Sequence, residues 1–216
     1  MSDAALIQKP QTNWPFAGLT PMKYGAILAD PPWAYAMRSD KGYDKSPEAQ
    51  YATMELDAIK ALPVADLAGR DCYLFLWSTW PHLDQAMEVM KAWGFHYITG
   101  GSWLKRTVHW KVSFGTGFVL RSSTEPYLVG RFGPAETDSN RIRNVIIDPI
   151  ETLRPEDIAD SIEAIRREHS RKPDQMREMI EKLFKRHYYF CELFAREPWP
   201  GNDVWGNQTE KFGGDP

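Results

Sequence analysis

The chain has 216 residues, a formal net charge of −3, 43% hydrophobic and 25% charged content, enough for one sizeable core and ordinary for a globular protein. That balance excludes a polycation, so a nucleic-acid partner has to be held by local basic patches rather than by the whole surface. The two cysteines, Cys72 and Cys191, each sit in an apolar run, which excludes a cysteine-rich zinc cluster and argues against a disulfide framework. No signal peptide, membrane-length apolar span or lipidation motif is visible, and the chain reads as a cytoplasmic protein without a membrane partner.

Residues 1–21 form a polar, proline-broken extension with Trp14 and Phe16 as its anchors. Tyr24 to Ala29 reads as a fully buried parallel strand. It runs into Asp30-Pro31-Pro32-Trp33, and because the prolines cannot continue a ladder, the chain must leave the sheet there. A carboxylate, a carbonyl and an indole are thereby held at the C-terminal end of a strand, the edge where open α/β sheets bind ligands. Residues 35–50, rich in charge and with little periodicity, read as a mobile lid loop.

Leu56 to Leu62 is a short helix ended by Pro63, and Cys72 to Trp77 is a second buried strand. Pro81 opens a helix with Leu83, Met87 and Met90 on one face and Gly94 past its end. Tyr97 to Leu104 is a further strand, interrupted by Gly100-Gly101. From Lys105 to Arg121, cations and aromatics interleave with Gly115-Thr116-Gly117, as in loops that track phosphate and stack bases; a solvated loop with incidental positive charge is the plainer reading. Pro126 to Gly130 is a short strand and Arg131 to Ile146 a polar, flexible stretch. Pro155 to Arg167 is a helix with acids in its first turn and arginines at its end, a candidate for a homodimer interface. Arg171-Lys172-Pro173-Asp174 starts another helix, with Met176, Ile180, Leu183 and Phe184 on one face. Tyr188 to Phe194 is the last strong strand, and Trp199 to Gln208 a Gly/Pro/Asn-rich tail. This alternation argues an α/β fold with a mainly parallel sheet, in a single domain over 1–216.

The second strand end, Glu192-Leu193-Phe194-Ala195-Arg196, offers an acid, a ring and a cation around a small residue that lets a ligand approach the backbone. Asn207 and Gln208 add two amides suited to a purine edge or a ribose. Lys172, before a proline at a helix start, suits a carboxylate or a phosphate. With Asp30 these describe a site for a nucleoside-like cofactor with charged ends. A dinucleotide-dependent oxidoreductase is disfavoured because no Gly-x-Gly-x-x-Gly follows a strand.

Asp30-Pro31-Pro32-Trp33 resembles the signature of the MTA-seventy family of adenine amino-methyltransferases. Tyr51 to Met54, Leu74 to Trp77, Trp103 to Lys105, Gly115 to Gly117, Glu125 with Leu128 to Gly130, His169 to Leu183, Glu192 to Arg196 and Gly206 to Gln208 follow the family's segments in order. The resemblance implies a Rossmann-like methyltransferase sheet in circularly permuted order, catalytic strand first and cofactor strand last, with S-adenosylmethionine as methyl donor; in-line transfer from its sulfonium to an amine needs no metal, and the sequence offers no convincing metal cluster. It implies cofactor contacts at Asp30, Lys172, Phe194, Ala195, Arg196, Asn207 and Gln208. After Arg196 the chain has Glu197, Pro198 and Trp199 where the messenger-RNA enzyme carries a polar pair for the ribose, so the residue that replaces those contacts stays open, with Glu197 the better candidate; Phe118 stands where that enzyme has histidine, and the helix at Pro155 to Arg167, in the segment 150–168, looks like an insertion relative to shorter relatives.

An exocyclic adenine amine is a poor nucleophile because its lone pair is delocalised into the ring. The Asp30 carboxylate and the Pro31 carbonyl, aimed at its hydrogens, would make it electron-rich and stabilise the charge that develops on methyl transfer. Pro32 stiffens that turn, Trp33 or Tyr35 would stack on the base, and Tyr51 would help close the pocket. Lys105, Arg106, Lys111, Arg121, Arg141 and Arg143 are the candidate nucleic-acid contacts. The expected substrate is adenine in DNA rather than RNA; an RNA adenosine methyltransferase and a catalytically inactive nucleic-acid-binding scaffold of the same fold are the alternatives.

Overall fold

The computed structural model describes residues 14–34, 53–107, 111–115, 117, 119–139, 141–149, 172–184, 189–207 and 209. The lid at 35–50, the helix expected at Pro155 to Arg167, and Tyr35, Tyr51, Phe118 and Gln208 lie outside those residues. Within them, a 7-stranded sheet is built from β1 (Tyr24–Ala29), β2 (Ala68–Trp77), β3 (His96–Arg106), β4 (Thr124–Phe132), β5 (Val145–Pro149), β6 (Tyr189–Leu193) and β7 (Asp203–Trp205). Across the sheet the order is β5-β3-β4-β2-β1-β6-β7. β1 is parallel to β2 and β6, β6 to β7, and β3 to β5, while β4 is antiparallel to both of its neighbours, β2 and β3. The sheet is therefore mainly parallel, as its buried apolar runs require.

β1 lies centrally and is buried along its whole length. Its side chains alternate between two cores: Ile27 and Ala29 face one, Ala26 and Leu28 the other. Tyr24 shares the Ile27 core because the register slips between Tyr24 and Ala26, a bulge that turns the strand's first side chain over. Two helices, α1 (Leu56–Lys60) and α2 (Leu83–Ala92), contribute Ile59, Ala86, Val89 and Met90 to the first core. The third, α3 (Gln175–Leu183), contributes Met176, Met179 and Ile180 to the second. The result is helix, sheet, helix, with both faces of β1 covered.

Several elements differ from the sequence expectation. Gly100-Gly101 does not interrupt β3, which runs unbroken from His96 to Arg106; a Cβ on Gly101 would strike the Asn144 carbonyl and the Tyr127 ring, so the glycine permits a close approach of backbone rather than a break. The stretch expected to be flexible before Ile146 ends in β5, and the tail contains β7. Both are short strands at opposite edges of the sheet, and Val145 and Ile147 on β5 are exposed, which erases the continuous apolar signature. The buried stripe of α2 is Ala86, Val89 and Met90, with Met87 facing outwards. No helix among the described residues is long and apolar enough to cross a membrane.

Candidate active site

β1 ends at Ala29, and the Asp30 N–H still donates to the Leu193 carbonyl of β6 at 3.4 Å, so the acid leaves the sheet at the junction of β1 and β6. The next turn is made by the prolines. Pro31 O accepts the Trp33 N–H at 2.9 Å, a tight three-residue turn, and Pro32 O accepts the Met54 N–H at 2.9 Å. A carbonyl has two lone pairs, so Pro31 O keeps acceptor capacity after serving Trp33. The Trp33 indole donates to Trp77 O at 3.3 Å and its ring stacks on His82, with centroids 6.2 Å apart. It is 5% exposed. This position speaks against the expectation that Trp33 stacks on a base: the ring ties the turn to the end of β2.

His82 completes that tie. Its Nε2 lies 3.0 Å from Ala34 O and its Nδ1 2.8 Å from the Thr79 hydroxyl. A carbonyl only accepts, so Nε2 carries the proton and Nδ1 accepts from Thr79, the neutral tautomer. Burial pushes its pKa below the ordinary value, against the pull of Ala34 O and Asp84.

Beside Asp30 stands a chain of charges. Lys172 Nζ is 3.0 Å from Asp30 Oδ2 and 2.6 Å from Glu125 Oε1, and Lys105 Nζ is 2.6 Å from Glu125 Oε2. The lysines rest over aromatic faces, Lys172 5.6 Å from the Trp77 ring and Lys105 4.8 Å from Trp103. The Trp77 indole N–H is buried without an acceptor among the described residues. Strand direction explains the assembly. Asp30 and Lys105 stand at the C-terminal ends of β1 and β3, and antiparallel β4 starts where its neighbours finish, which brings Glu125 to the same edge.

The two acids are pushed apart. Burial pushes Glu125 up, but Lys172 and Lys105 override it and hold the carboxyl at about 2. Burial raises Asp30 as well; its one close lysine opposes the rise, while the Glu125 charge adds to it. Burial would lower Lys172, yet the two carboxylates hold it well above its ordinary value. Glu125 is thus a permanent charge and Asp30 the responsive one, the division of labour that acid–base sites exploit.

The second strand end closes the cleft. After β6, Phe194 takes a left-handed backbone, φ 63°, and the Ala195 N–H donates to Trp205 O at 3.0 Å. A Cβ on Gly206 would strike the Ala195 backbone, so glycine is required for β7 to lie this close. The Phe194 ring meets Trp205 edge to face at 5.4 Å. Arg196 is close enough to favour the ionised form of Asp30. Behind this turn, Arg177 Nε and Nη2 each lie 2.8 Å from Glu192 Oε2, and Nη1 lies 3.4 Å from Glu197 Oε1. Burial pushes Glu192 up to about 7 against the pull of Arg177.

Asp30, Lys172, Arg196 and Lys105 are therefore brought together at the centre of the sheet edge, with Phe194, Ala195 and Glu197 on its β6 side. Asn207 is exposed beyond β7. Of the expected nucleic-acid contacts, Lys105 needs correcting: it closes β3 and gives its charge to Glu125 instead of standing free on a loop. Arg106 is half-buried at the end of the same strand, while Lys111, Arg121, Arg141 and Arg143 are exposed. Arg121 lies 5.2 Å from the Phe114 ring, which is itself 80% exposed. Glu125 carried no individual role in the sequence reading, and Arg177 none at all; an acid heading an apolar strand was the available signal for Glu125.

The layered sheet, with charged groups converging on the C-terminal edge of its parallel strands, defines an α/β protein of the class that binds ligands at that edge. The family model for MT-A70 matches residues 24–208, and the chain belongs to the MT-A70 family. It is 31% identical over 208 residues to the type II methyltransferase M.MunI of Mycoplasma sp., covering 88% of this chain and 80% of that protein. It is also 31% identical over 175 residues to an N(6)-adenosine-methyltransferase MT-A70-like protein of Arabidopsis thaliana, covering 80% of this chain but 22% of the relative. Human N(6)-adenosine-methyltransferase catalytic subunit METTL3 is 27% identical over 164 residues, 74% of this chain and 24% of the relative.

Proposed function

We propose that this chain transfers a methyl group from S-adenosylmethionine to the exocyclic amine of adenine, with DNA as the substrate. The observation that carries the reading is Asp30: a half-buried carboxylate at the end of the central strand, beside a carbonyl with acceptor capacity, in a member of the MT-A70 family. Two acceptors aimed at an amine's hydrogens oppose delocalisation of its lone pair and stabilise the positive charge that grows on nitrogen. Lys172 favours the ionised form of Asp30, the form able to accept. Trp33 and His82 hold the turn stiff, so acceptors and amine meet without reorganisation.

The residues also fit the methyl donor, whose ends carry a carboxylate, an ammonium and a ribose diol. Lys172 and Arg196 suit the carboxylate, Asp30 and Glu197 the donors of hydrogen bonds, and the orphaned Trp77 N–H is a buried donor suited to an acceptor-rich ligand. When bound, S-adenosylmethionine supplies an electrophilic methyl group. DNA is favoured because the likeness spans 80% of the type II methyltransferase, whereas the adenosine-named plant and human relatives carry most of their length outside it.

The test is mass spectrometry of nucleosides from DNA and RNA incubated with the protein and isotope-labelled donor. Label in N6-methyldeoxyadenosine, lost in Asp30→Asn, is expected. Label only in RNA would overturn the choice of substrate, and label undiminished in Asp30→Asn would overturn the role of the acid.

A further inference from the structure

We infer that Trp80 is a stacking residue for the nucleic-acid substrate: its exposed indole receives a base that flanks the reacting adenine. The inference rests on the methyl-transfer reading of the Asp30 site and adds to it a contact from another strand end, that of β2.

Strand order places the ring. β2 lies between β1 and β4 in the sheet, and Trp80 follows shortly after its last residue, Trp77. Trp80 therefore belongs to the binding edge, between the strand end that carries Asp30 and the one that carries Glu125. Its backbone is gripped from both sides. The Ser78 N–H donates to Pro126 O of β4 at 3.0 Å, and the His82 ring donates to Ala34 O, just past the proline turn, at 3.0 Å. Between them the His82 N–H closes a short turn on Thr79 O at 3.0 Å.

Among the described tryptophans Trp80 alone is exposed, at 50%. Burial is the usual fate of so large a ring, so its exposure calls for a cause. Nor is the side chain loose, because its indole N–H donates to the Thr124 hydroxyl at 2.9 Å. A ring tethered by one edge and otherwise open has lost its rotamer freedom before any ligand arrives, and it stacks at little entropic cost. Trp33, the ring to which the sequence points for stacking, is buried in the tie to β2 and cannot serve.

Charge identifies the occupant. Residues 105–123 contain Lys105, Arg106, Lys111 and Arg121 and no acid, in a chain whose net charge is −3. That loop ends on the tether of the ring: the Ser122 hydroxyl donates to Thr124 O at 3.0 Å, and Lys111 and Arg121 are exposed along it. Cations for phosphate beside a fixed, open ring are what a strand with unstacked bases requires, and a duplex opened around a flipped adenine presents such a strand. An apolar protein partner would use the ring and leave the cations unanswered.

The experiment is fluorescence anisotropy with two labelled probes: an oligodeoxyadenylate of about 12 nucleotides, within the span of such surfaces, and an abasic strand with the same number of phosphates. Wild type, Trp80→Ala, Trp80→Leu, Trp80→Phe and Thr124→Val are compared. The wild type should bind the adenine strand more tightly. Trp80→Ala should lose about tenfold on it, the effect of one base–aromatic stack, and less than about twofold on the abasic strand. Trp80→Phe, which keeps a ring, should retain most of the affinity. Thr124→Val, which frees the indole, should fall between wild type and Trp80→Ala on the adenine strand alone. Trp80→Leu keeps apolar bulk without a ring and carries the same comparison should Trp80→Ala fail to fold. Equal loss on both strands would make the ring structural and overturn the inference. So would undiminished affinity in Trp80→Ala, or sedimentation showing a wild-type dimer that Trp80→Ala dissociates with DNA binding unchanged. In each case the wild type still labels deoxyadenosine in the nucleoside assay, and methyl transfer stands. Absence of label from DNA and RNA alike overturns both readings.

Discussion

Removing the charge of Glu125 while keeping its shape is the sharpest perturbation of the site. In Glu125→Gln the two half-buried lysines at 2.6 Å lose their shared partner, leaving Asp30 as the remaining acid of the chain of charges. The folded carboxyl sits at about 2 against an ordinary 4.5. At about 1.36 kcal/mol per pH unit, that depression is about 3 kcal/mol of stability at neutral pH. Breaking a buried ion pair from one side gives a similar figure, about 3–5 kcal/mol, and the Glu125 side chain is only 9% exposed, so solvent screens little of it. For a chain of this size, about 3 kcal/mol lowers the melting temperature by roughly 6–12 °C. The pH dependence has a definite sign. A depressed folded pKa contributes stability that is complete above the unfolded value and lost as pH falls through about 2. Glutamine does not titrate, so the gap between the two proteins should narrow on acidification, to roughly half its neutral value near pH 3. Denaturant unfolding of both proteins at several pH values measures the gap. A difference under about 1 kcal/mol at pH 7, or one that stays constant as pH falls, would refute the claim that Glu125 is a permanent buried charge.

Three further outcomes are expected. Lys172→Met should weaken S-adenosylhomocysteine binding by about 10- to 100-fold in calorimetry; an unchanged affinity would remove Lys172 from the donor site. Glu192, faced by Arg177, Asp30 and Glu197, has a folded pKa raised to about 7, so the native state binds the extra proton between the ordinary 4.5 and 7. Stability should then fall across that window as pH rises, by up to about 3 kcal/mol, and level off above it; Glu192→Gln should flatten this limb, and a limb of unchanged slope would count against the assignment. Replacing Lys111 and Arg121 together by alanine should reduce the slope of log affinity against log salt by about 2 for DNA binding, and an unaltered slope would return both to the class of solvated loop charges.

What was legible in the chain divides along physical lines. β1 and its acid were readable because a strand buried on both faces leaves a run of apolar residues, and prolines mark its end whatever surrounds them. β5 and β7 were not, because edge strands need no such run and Val145 and Ile147 face outwards. Met87 was misplaced by one position in the phase of α2, an error that a helix of ten residues cannot average away. Lys105 was taken for a loop cation because its partner, Glu125, is 20 residues distant and meets it only through the pairing of β3 with β4. Arg177 was invisible for a related reason: it sits between the buried Met176 and Met179 in a helix otherwise rich in charge, and an internal salt bridge looks like a solvated face when only spacing is available.

The make-up of the site is finally a consequence of one strand's direction. Parallel strands deliver the residues at their C-terminal ends to the binding edge, here Asp30 from β1, Lys105 from β3 and the Glu192 turn from β6. Antiparallel β4 delivers its N-terminal end instead, and Glu125 is the second residue of that strand. Had β4 run parallel, the half-buried lysines would have only Asp30 to neutralise them, and Asp30 could not then also serve in its proposed role as acceptor for an incoming amine. With Glu125 as the lysines' partner, Asp30 shares a cation without being consumed by it. A variant that moves the charge should show this: in Glu125→Gln, the pH at which methylation reaches half its maximum should shift to lower values, because both the Glu125 charge that raises Asp30 and the competition for Lys172 are gone. An acid limb that stays in place, or moves upwards, would mean that the two carboxylates do not divide the lysine between them.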